Sequence, residues 1–245
     1  MLVLRVDLVT GVLLLAAAVA AYWWWRYRGP GRTSSARRPG GRITGAGRSA
    51  DARARELRTP LVRIATAAGI TTRAEALARR SQIGAEGERY VAQLLAPLTA
   101  DGWAFLADRR LPRGKANIDL LAISPTGRVY VLDPKKWDRR HRLRVRDGRL
   151  WHGEWDVSKR LKPLRYETAT VSSLLGVKAI PIAVMVGPMR PGTQLRYDGI
   201  LLVPAEDICH VLRRLDAQHV PTQRSAHLVD TAERLLPPKT GRTSR

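Results

Sequence analysis

Residues 117–137 have the sequence NIDLLAISPTGRVYVLDPKKW, and the predicted fold is built around them. Two runs of aliphatic and β-branched side chains flank Ser-Pro-Thr-Gly at 124–127, a pattern that predicts an antiparallel hairpin. With the turn centred on Thr126, the register places Asp119 opposite Asp133. An apolar strand has no structural need for either aspartate, so both require an explanation.

Lys135 follows Asp133 by two positions and should share its face of the strand, because strand side chains alternate with period two. Directly opposite residues have Cβ atoms about 4.5–5.5 Å apart. Two carboxylates at that distance repel each other unless a cation lies between them. The hairpin therefore predicts either a divalent metal site beside a phosphate-binding ammonium, or a surface hairpin with solvated charges, and the spacing leaves both open.

A third acidic residue, Glu88, belongs to a predicted helix over 83–98. It lies on the same apolar stripe as Val91, where a carboxylate is costly unless it is paired or metal-bound. The alternative is an acid near a helix N-terminus that complements the helix dipole. Gly84 and Gly87 would let this part of the helix lie close to neighbouring backbone.

The net charge of +22 predicts a polyanionic partner, either nucleic acid or an acidic membrane surface. The single cysteine, Cys209, excludes an intrachain disulfide and a cysteine-based zinc cluster. Eight Lys or Arg residues fall within 135–149, beside the candidate site. The residues expected to contact a phosphate backbone are Arg113, Lys115, Lys136, Arg139, Arg140 and Arg142. A merely solvated face is the alternative.

Residues 8–25 form an uncharged run of 18 residues that ends in Tyr-Trp-Trp-Trp, which predicts a single membrane-spanning helix with an aromatic belt. We expect an uncleaved anchor rather than a signal peptide, because the preceding segment holds both Arg5 and Asp7. Arginines follow the run immediately, and the positive-inside rule then leaves the remainder of the chain in the cytoplasm. The expected location is the cell membrane.

The predicted organisation has five parts. These are an anchor over 1–28, a flexible basic linker over 29–58, a short helical lead-in over 59–82, an α/β domain over 83–218, and a C-terminal helix with a basic tail over 219–245. Residues 26–80 hold 14 arginines and three acids, so the linker is expected to contact anionic lipid or to hold nucleic acid near the membrane.

Four short motifs occur in a distinctive order: Gly84-x-x-Gly87-Glu88, Leu111-Pro112, Ile118-Asp119, and Leu132-Asp133-Pro134-Lys135 followed by Trp137. Together they resemble the NERD (nuclease-related domain) family of the PD-(D/E)XK nuclease-like folds, over about 84–187. The resemblance implies an α/β fold in which helices flank a mixed central sheet, as in restriction endonucleases. It also implies Mg²⁺ or Mn²⁺ held by Glu88, Asp119 and Asp133, with Lys135 near the attacking water or the scissile phosphate.

Two positions depart from the family pattern. Tyr166 stands where relatives often have a glutamine, and Pro134 lies inside the Asp-x-Lys motif. A proline removes a hydrogen-bond donor from the strand and is tolerated only at a strand end, an edge or a bulge, so it could turn Lys135 off the expected face.

The function expected from these features is metal-dependent hydrolysis of phosphodiester bonds in nucleic acid, expected to be DNA, by a membrane-anchored protein. One alternative is a catalytically inactive domain that binds nucleic acid near the membrane. The other is a membrane-surface scaffold whose arginine-rich linker binds anionic lipid while the domain contacts protein.

Overall fold

The predicted hairpin lies within a six-stranded mixed sheet. The strands are β1 Ala104–Arg110, β2 Asn117–Ile123, β3 Val129–Lys136, β4 Leu143–Arg146, β5 Arg149–His152, β6 Trp155–Asp156, β7 Ala179–Val186, β8 Leu195–Tyr197 and β9 Ile200–Pro204. The large sheet has the order β1-β2-β3-β7-β9-β8, and β4, β5 and β6 form a separate antiparallel sheet. The α/β class and the mixed central sheet are confirmed.

Helices flank the large sheet on both faces. They are α1 Arg48–Leu57, α2 Pro60–Ala67, α3 Arg73–Leu95, α4 Lys162–Leu175, α5 Ile208–Ala217 and α6 Leu228–Leu235, with short 3-10 turns at Ala96–Thr99, Ser158–Leu161 and Ala205–Asp207. One apolar core joins the sheet to α3 and α5, and the other joins it to α4, α6 and the small sheet. The sheet is therefore covered on both faces.

This computed structural model describes residues 43–112, 116–219 and 227–239, which all belong to the unit Pro39–Arg245. The predicted anchor, most of the linker, Arg113 and Lys115 lie outside those residues. Within the described part of the chain, no helix has the length and apolar character needed to span a bilayer.

The hairpin register agrees with the sequence prediction. Leu120 pairs with Leu132 and Ile123 with Val129, which is the alignment that continues to Asp119 opposite Asp133. On its other side β3 pairs in parallel with β7 along its whole length, up to Lys136. Pairing with β2 stops at Leu132, so the end of β3 that carries the motif has a strand neighbour on one side only.

Two predictions about the region before the domain are wrong. The predicted flexible linker over 29–58 includes Arg48–Leu57, which is instead a helix that buries Ala54 and pairs Asp51 with Arg89 of α3. The separate lead-in and domain helices are instead one continuous helix of 23 residues. This helix begins after Thr72, whose side chain accepts a hydrogen bond from the Glu75 N–H.

The two glycines within α3 are in different surroundings, and this gives a test of the packing. A Cβ at Gly84 would meet no atom within 4 Å, whereas one at Gly87 would lie 3.2 Å from the Lys136 Cβ. Alanine in a helix interior gains about 0.5–1 kcal/mol over glycine. We expect Gly84→Ala to raise the free energy of unfolding by this amount in urea titrations, and Gly87→Ala to lose the gain by crowding β3. Equal gains in both variants would contradict the close helix–strand contact.

Candidate active site

A cleft of about 610 Å³ opens where β3 ends and α3 passes the sheet. Its lining includes Glu88, Asp119, Lys135, Lys136, Trp137 and Arg160. Glu88 is supplied by α3, Asp119 by the start of β2, and Lys135 by the end of β3. The structure therefore gathers residues that are far apart in sequence, and Asp133 lies beside them, 4% exposed.

Glu88 is 8% exposed and lies on the buried face of α3, as its position on the apolar stripe predicted. Its Oε2 accepts a hydrogen bond from the Gly47 N–H at 2.9 Å. Burial raises the pKa of Glu88 to about 7, a rise that the Gly47 N–H opposes and that the nearby Asp108 and Asp133 charges increase. Glu88 is thus an acid that titrates near neutrality.

Asp119 is the third residue of β2, lines the cleft and is half-buried. Burial holds the pKa of Asp119 well above its ordinary value, and the charges of Glu88 and Asp133 raise it further. Its Oδ1 accepts a 3.4 Å hydrogen bond from the Asn117 side-chain amide. The mutual repulsion expected from the hairpin register is therefore present.

Lys135 supplies the positive charge next to these acids. Its Nζ is 2.6 Å from Asp133 Oδ1, so the two side chains lie on the same side of β3. Burial lowers the pKa of Lys135, but the charge of Asp133 and the hydrogen bond to it outweigh burial, and the net shift is upward. Pro134 therefore does not turn Lys135 away, because it lies beyond Leu132, the last residue of β3 that pairs with β2.

Glu167 on α4 is a fourth acid at the site and was missed in the sequence. Burial raises the pKa of Glu167 to about 7, with a further rise from Asp133 and an opposing effect from Lys135. Helical periodicity could have found it, since Leu164 lies three residues before it and is fully buried. Its neighbour Tyr166, which stands where members of the resembled family often have a glutamine, is 53% exposed.

The predicted phosphate-contacting residues have different surroundings. Lys136 lines the cleft and pairs with Glu86 at 2.8 Å. Arg139, Arg140 and Arg142 are exposed after β3, and Arg140 pairs with Asp138 at 2.6 Å.

Two further arginines, Arg80 and Arg160, line the cleft and were not predicted. The Arg160 guanidinium lies 5.5 Å from the centre of the Trp137 ring, so it is held over an aromatic face at the mouth of the site. Both lie outside the basic run over 135–149. Arg80 belongs to α3, and Arg160 belongs to the 3-10 turn that precedes α4.

The donor set has the chemistry that a hard divalent cation prefers, because carboxylate oxygens are the usual ligands of Mg²⁺ and Mn²⁺. The described residues nevertheless include no group of three His, Cys, Asp or Glu side chains close enough to hold an ion together. Glu88 comes from α3, on one face of the sheet, while Asp133 follows Leu132, which packs toward that same face, so the Asp133 side chain lies on the opposite face. Glu88 and Asp133 therefore reach the end of the sheet from different sides.

Residues 83–186 match the family model of the nuclease-related domain, NERD. The matched segment contains Glu88, Asp119, Asp133 and Lys135. No significant match was found among curated proteins or among solved structures.

The raised pKa of Glu88 predicts a pH-dependent effect of Glu88→Gln on stability. A carboxyl whose pKa is about 7 in the folded state and about 4.3 unfolded stabilises the fold while protonated, and this contribution is lost as the pH rises through 7. Glutamine remains neutral and keeps an oxygen for the Gly47 N–H. Without added metal, the variant should gain about 1 to 3 kcal/mol over the wild type between pH 5 and pH 8 in urea titrations.

Glu86→Gln is the matched control, because Glu86 lies on the same helix and the Lys136 hydrogen bond lowers its pKa. That substitution should not gain stability as the pH rises. A Glu88→Gln difference that stayed constant between pH 5 and pH 8 would contradict the buried, proton-binding state of Glu88.

Proposed function

We propose that the chain, whose residues 83–186 form a nuclease-related domain, hydrolyses phosphodiester bonds of nucleic acid with the help of a divalent cation. The observation that carries the proposal is the cleft itself, where buried carboxylates surround one protonated lysine and cationic side chains line the rim. Acids held near neutrality in a basic cleft are typical of sites that bind metal and phosphate together.

Glu88, Asp119 and Asp133 would hold Mg²⁺ or Mn²⁺ in this proposal. When bound, the ion polarises a phosphoryl oxygen and lowers the pKa of a coordinated water. Because burial raises the pKa of Glu88 and Asp119, cation binding must displace protons from these carboxyls, so the affinity should rise with pH through about 7.

Lys135 is suited to stabilise the negative charge that develops on the phosphate. Its ammonium is kept protonated by Asp133, and its position at the end of β3 lets it face the cleft. A preorganised cation in a site from which water is largely excluded stabilises a transition state more strongly than one in bulk water. The lysine would share its donors between Asp133 and a phosphate oxygen.

Glu167 is suited to accept a proton from the attacking water. A carboxylate with a pKa of about 7 combines a substantial ionised fraction with useful basicity at neutral pH. This role would explain a fourth acid on α4, where the helix needs only apolar contacts to pack on the sheet.

The rim is suited to contact the phosphate backbone rather than to read bases. Lys136, Arg80 and Arg160 line the cleft, and Arg139, Arg140 and Arg142 extend the positive surface beyond it. Such contacts position a nucleic acid without sequence preference. We propose DNA as the substrate and extend the predicted contacts to Arg113 and Lys115 on the sequence alone.

The membrane association is likewise a proposal from the sequence. We propose that residues 8–25 anchor the protein in the cell membrane, that the domain faces the cytoplasm, and that the arginines after the anchor contact anionic lipid.

Nucleic-acid binding without hydrolysis is the second candidate. It is favoured by the lack of three convergent metal ligands among the described residues and by the Lys135 hydrogen bond to an oxygen of Asp133. The two candidates differ in whether a metal-dependent product forms.

Plasmid cleavage distinguishes these functions. The full-length protein in detergent, given supercoiled plasmid and Mg²⁺ or Mn²⁺, should produce nicked or linear DNA on agarose gels. Asp133→Asn removes a carboxylate oxygen, and Lys135→Ala removes the ammonium, so each should lower the rate by about 100-fold or more. Chelation should abolish the reaction.

Asp230→Asn and Lys178→Ala are matched controls at exposed positions outside the cleft. Lys178 lies just before β7, at the opposite end of the sheet from Lys135. Both should cleave at the wild-type rate. Cleavage that persisted in Asp133→Asn and Lys135→Ala would exclude this site. Salt-sensitive binding with no metal-dependent product would support the second candidate instead.

A separate prediction concerns the binding of nucleic acid by the cationic side chains at the rim of the cleft. In the Asp133→Asn background without metal, the logarithm of duplex affinity should fall linearly with the logarithm of salt concentration. If Arg160 contacts one phosphate, Arg160→Gln should reduce that slope by about 0.9. Arg234→Gln, at an exposed position on α6, should leave the slope unchanged in the same fluorescence-anisotropy titrations. Equal slopes for both variants would remove Arg160 from the binding surface.

A further inference from the structure

The Glu88 carboxylate accepts a hydrogen bond from a segment outside the nuclease-related domain. The N-terminal strap, which we define as residues 43–57, precedes the matched segment by 25 residues and packs α1 against α3. Gly47, at the start of α1, donates its N–H to Glu88 Oε2 in a buried contact of 2.9 Å. Among the described residues, this is the hydrogen bond that fixes the Glu88 carboxylate.

Gly47 is suited to this contact because it has no side chain. Its φ of +75° is strained for other residues, and an added Cβ would lie 2.8 Å from the Ala85 carbonyl oxygen. Ala85 is one turn before Glu88 on α3, so the strap backbone reaches the carboxylate only by passing over this turn. Any side chain here would push the N–H away from Glu88.

The strap also binds the polar residues behind Asp119. The Ser49 N–H donates to Asp108 Oδ2 at 2.8 Å, and Asp108 is 3% exposed. The side-chain amide of Asn117 bridges the two aspartates, donating to Asp108 Oδ1 at 3.1 Å and to Asp119 Oδ1 at 3.4 Å. A continuous path of hydrogen bonds therefore connects the strap with a second carboxylate of the cleft.

A C-terminal residue completes this network. Lys239 donates its ammonium to Asn117 Oδ1 at 2.9 Å and its N–H to the Asp108 carbonyl at 2.8 Å. The Asn117 amide is thus oriented with its oxygen toward Lys239 and its nitrogen toward the acids. Segments on both sides of the matched domain meet at the same pair of strands.

We propose that Gly47 and Asn117 are positioning residues for metal binding: the strap N–H holds one oxygen of Glu88 and the Asn117 amide holds one oxygen of Asp119, so that the other oxygen of each carboxylate would be available to a cation. The inference rests on the proposed function, because it assigns these residues to the metal that the site would bind. Residues that orient ligands in this way typically change metal affinity by 10- to 100-fold. The metal-binding unit is then larger than residues 83–186.

Gly47→Ala and Gly69→Ala test the proposal as a matched pair. Both glycines have positive φ, but a Cβ at Gly69 would meet nothing within 4 Å, so the control carries the same backbone strain without displacing the strap from α3. Calorimetric Mn²⁺ titration of the full-length protein should show about a 10-fold or greater loss of affinity in Gly47→Ala and less than a 2-fold change in Gly69→Ala. Thermal melting confirms that both variants are folded at the titration temperature.

A double-mutant cycle separates positioning from general destabilisation. In a Glu88→Gln background the strap no longer holds a metal ligand, so adding Gly47→Ala should not reduce Mn²⁺ affinity further. If Gly47→Ala proves unfolded, Asn117→Ala carries the test, with Gln82→Ala on the exposed side of α3 as its control. The Asn117 variant should lose affinity by about 10-fold, without further loss when combined with Asp119→Asn.

The outcomes separate this inference from the proposed function. Mn²⁺ binding by the wild type with equal affinities in Gly47→Ala and Gly69→Ala, or additive losses in the cycle, would overturn the positioning role alone. A wild type that binds no Mn²⁺ would overturn the proposed metal-dependent function and this inference with it.

Discussion

Carboxylates that are grouped around one lysine, Lys135, cannot all be ionised without a large electrostatic cost. Lys135 compensates Asp133 across 2.6 Å, while Glu88 and Asp119 depend on neutral donors, the Gly47 N–H and the Asn117 amide. Neutral donors stabilise a carboxylate less than an ammonium does. Burial is the main reason why the pKa of Glu88 and of Asp119 rises, and the charges of neighbouring carboxylates raise it further. A bound cation, as proposed above, would offset this cost.

The sheet supports this unfavourable cluster by holding β3 on one side and leaving it open on the other. Parallel pairing with β7 extends to Lys136, whereas antiparallel pairing with β2 ends at Leu132. Beyond Leu132 the edge of β3 on the side of β2 has no partner strand, and the cleft opens there. The same asymmetry accommodates Pro134, which would disrupt a strand paired on both sides.

Sequence reasoning succeeded where a periodic pattern carried the information. The hairpin register followed from two alternating strands about a defined turn, and Glu88 followed from its position one turn before Val91 on a buried stripe. The same reasoning divided α3 at its glycines, because a single glycine costs only about 1 kcal/mol and a long helix with tertiary contacts tolerates it.

The missed parts of the site had weaker signals or none. Glu167 was detectable, since it follows the buried Leu164 by one turn, but the family comparison drew attention to Tyr166 beside it. The Gly47 contact was not detectable, because a backbone N–H is present at almost every residue and its direction depends on tertiary packing. Arginine-rich composition indicated a linker over 29–58, yet α1 buries Ala54 against α3 and keeps its charges in solvent.

The cationic side chains of the site are of two kinds. Lys135 has a buried carboxylate partner, whereas Lys136 and Arg140 have exposed partners that a polyanion could replace. Lys135 is part of the buried cluster, and removing its charge would leave Asp133, which is 4% exposed, without its charged partner. Lys136 and Arg140 form exposed ion pairs with Glu86 and Asp138. Exposed pairs contribute little to stability and are screened by salt, so a phosphate can replace the carboxylate partner at small cost. In the proposed function, the rim side chains would therefore bind the nucleic acid backbone without disturbing the pair of Lys135 and Asp133. Lys135 would then remain available to the phosphate group that lies next to the carboxylates.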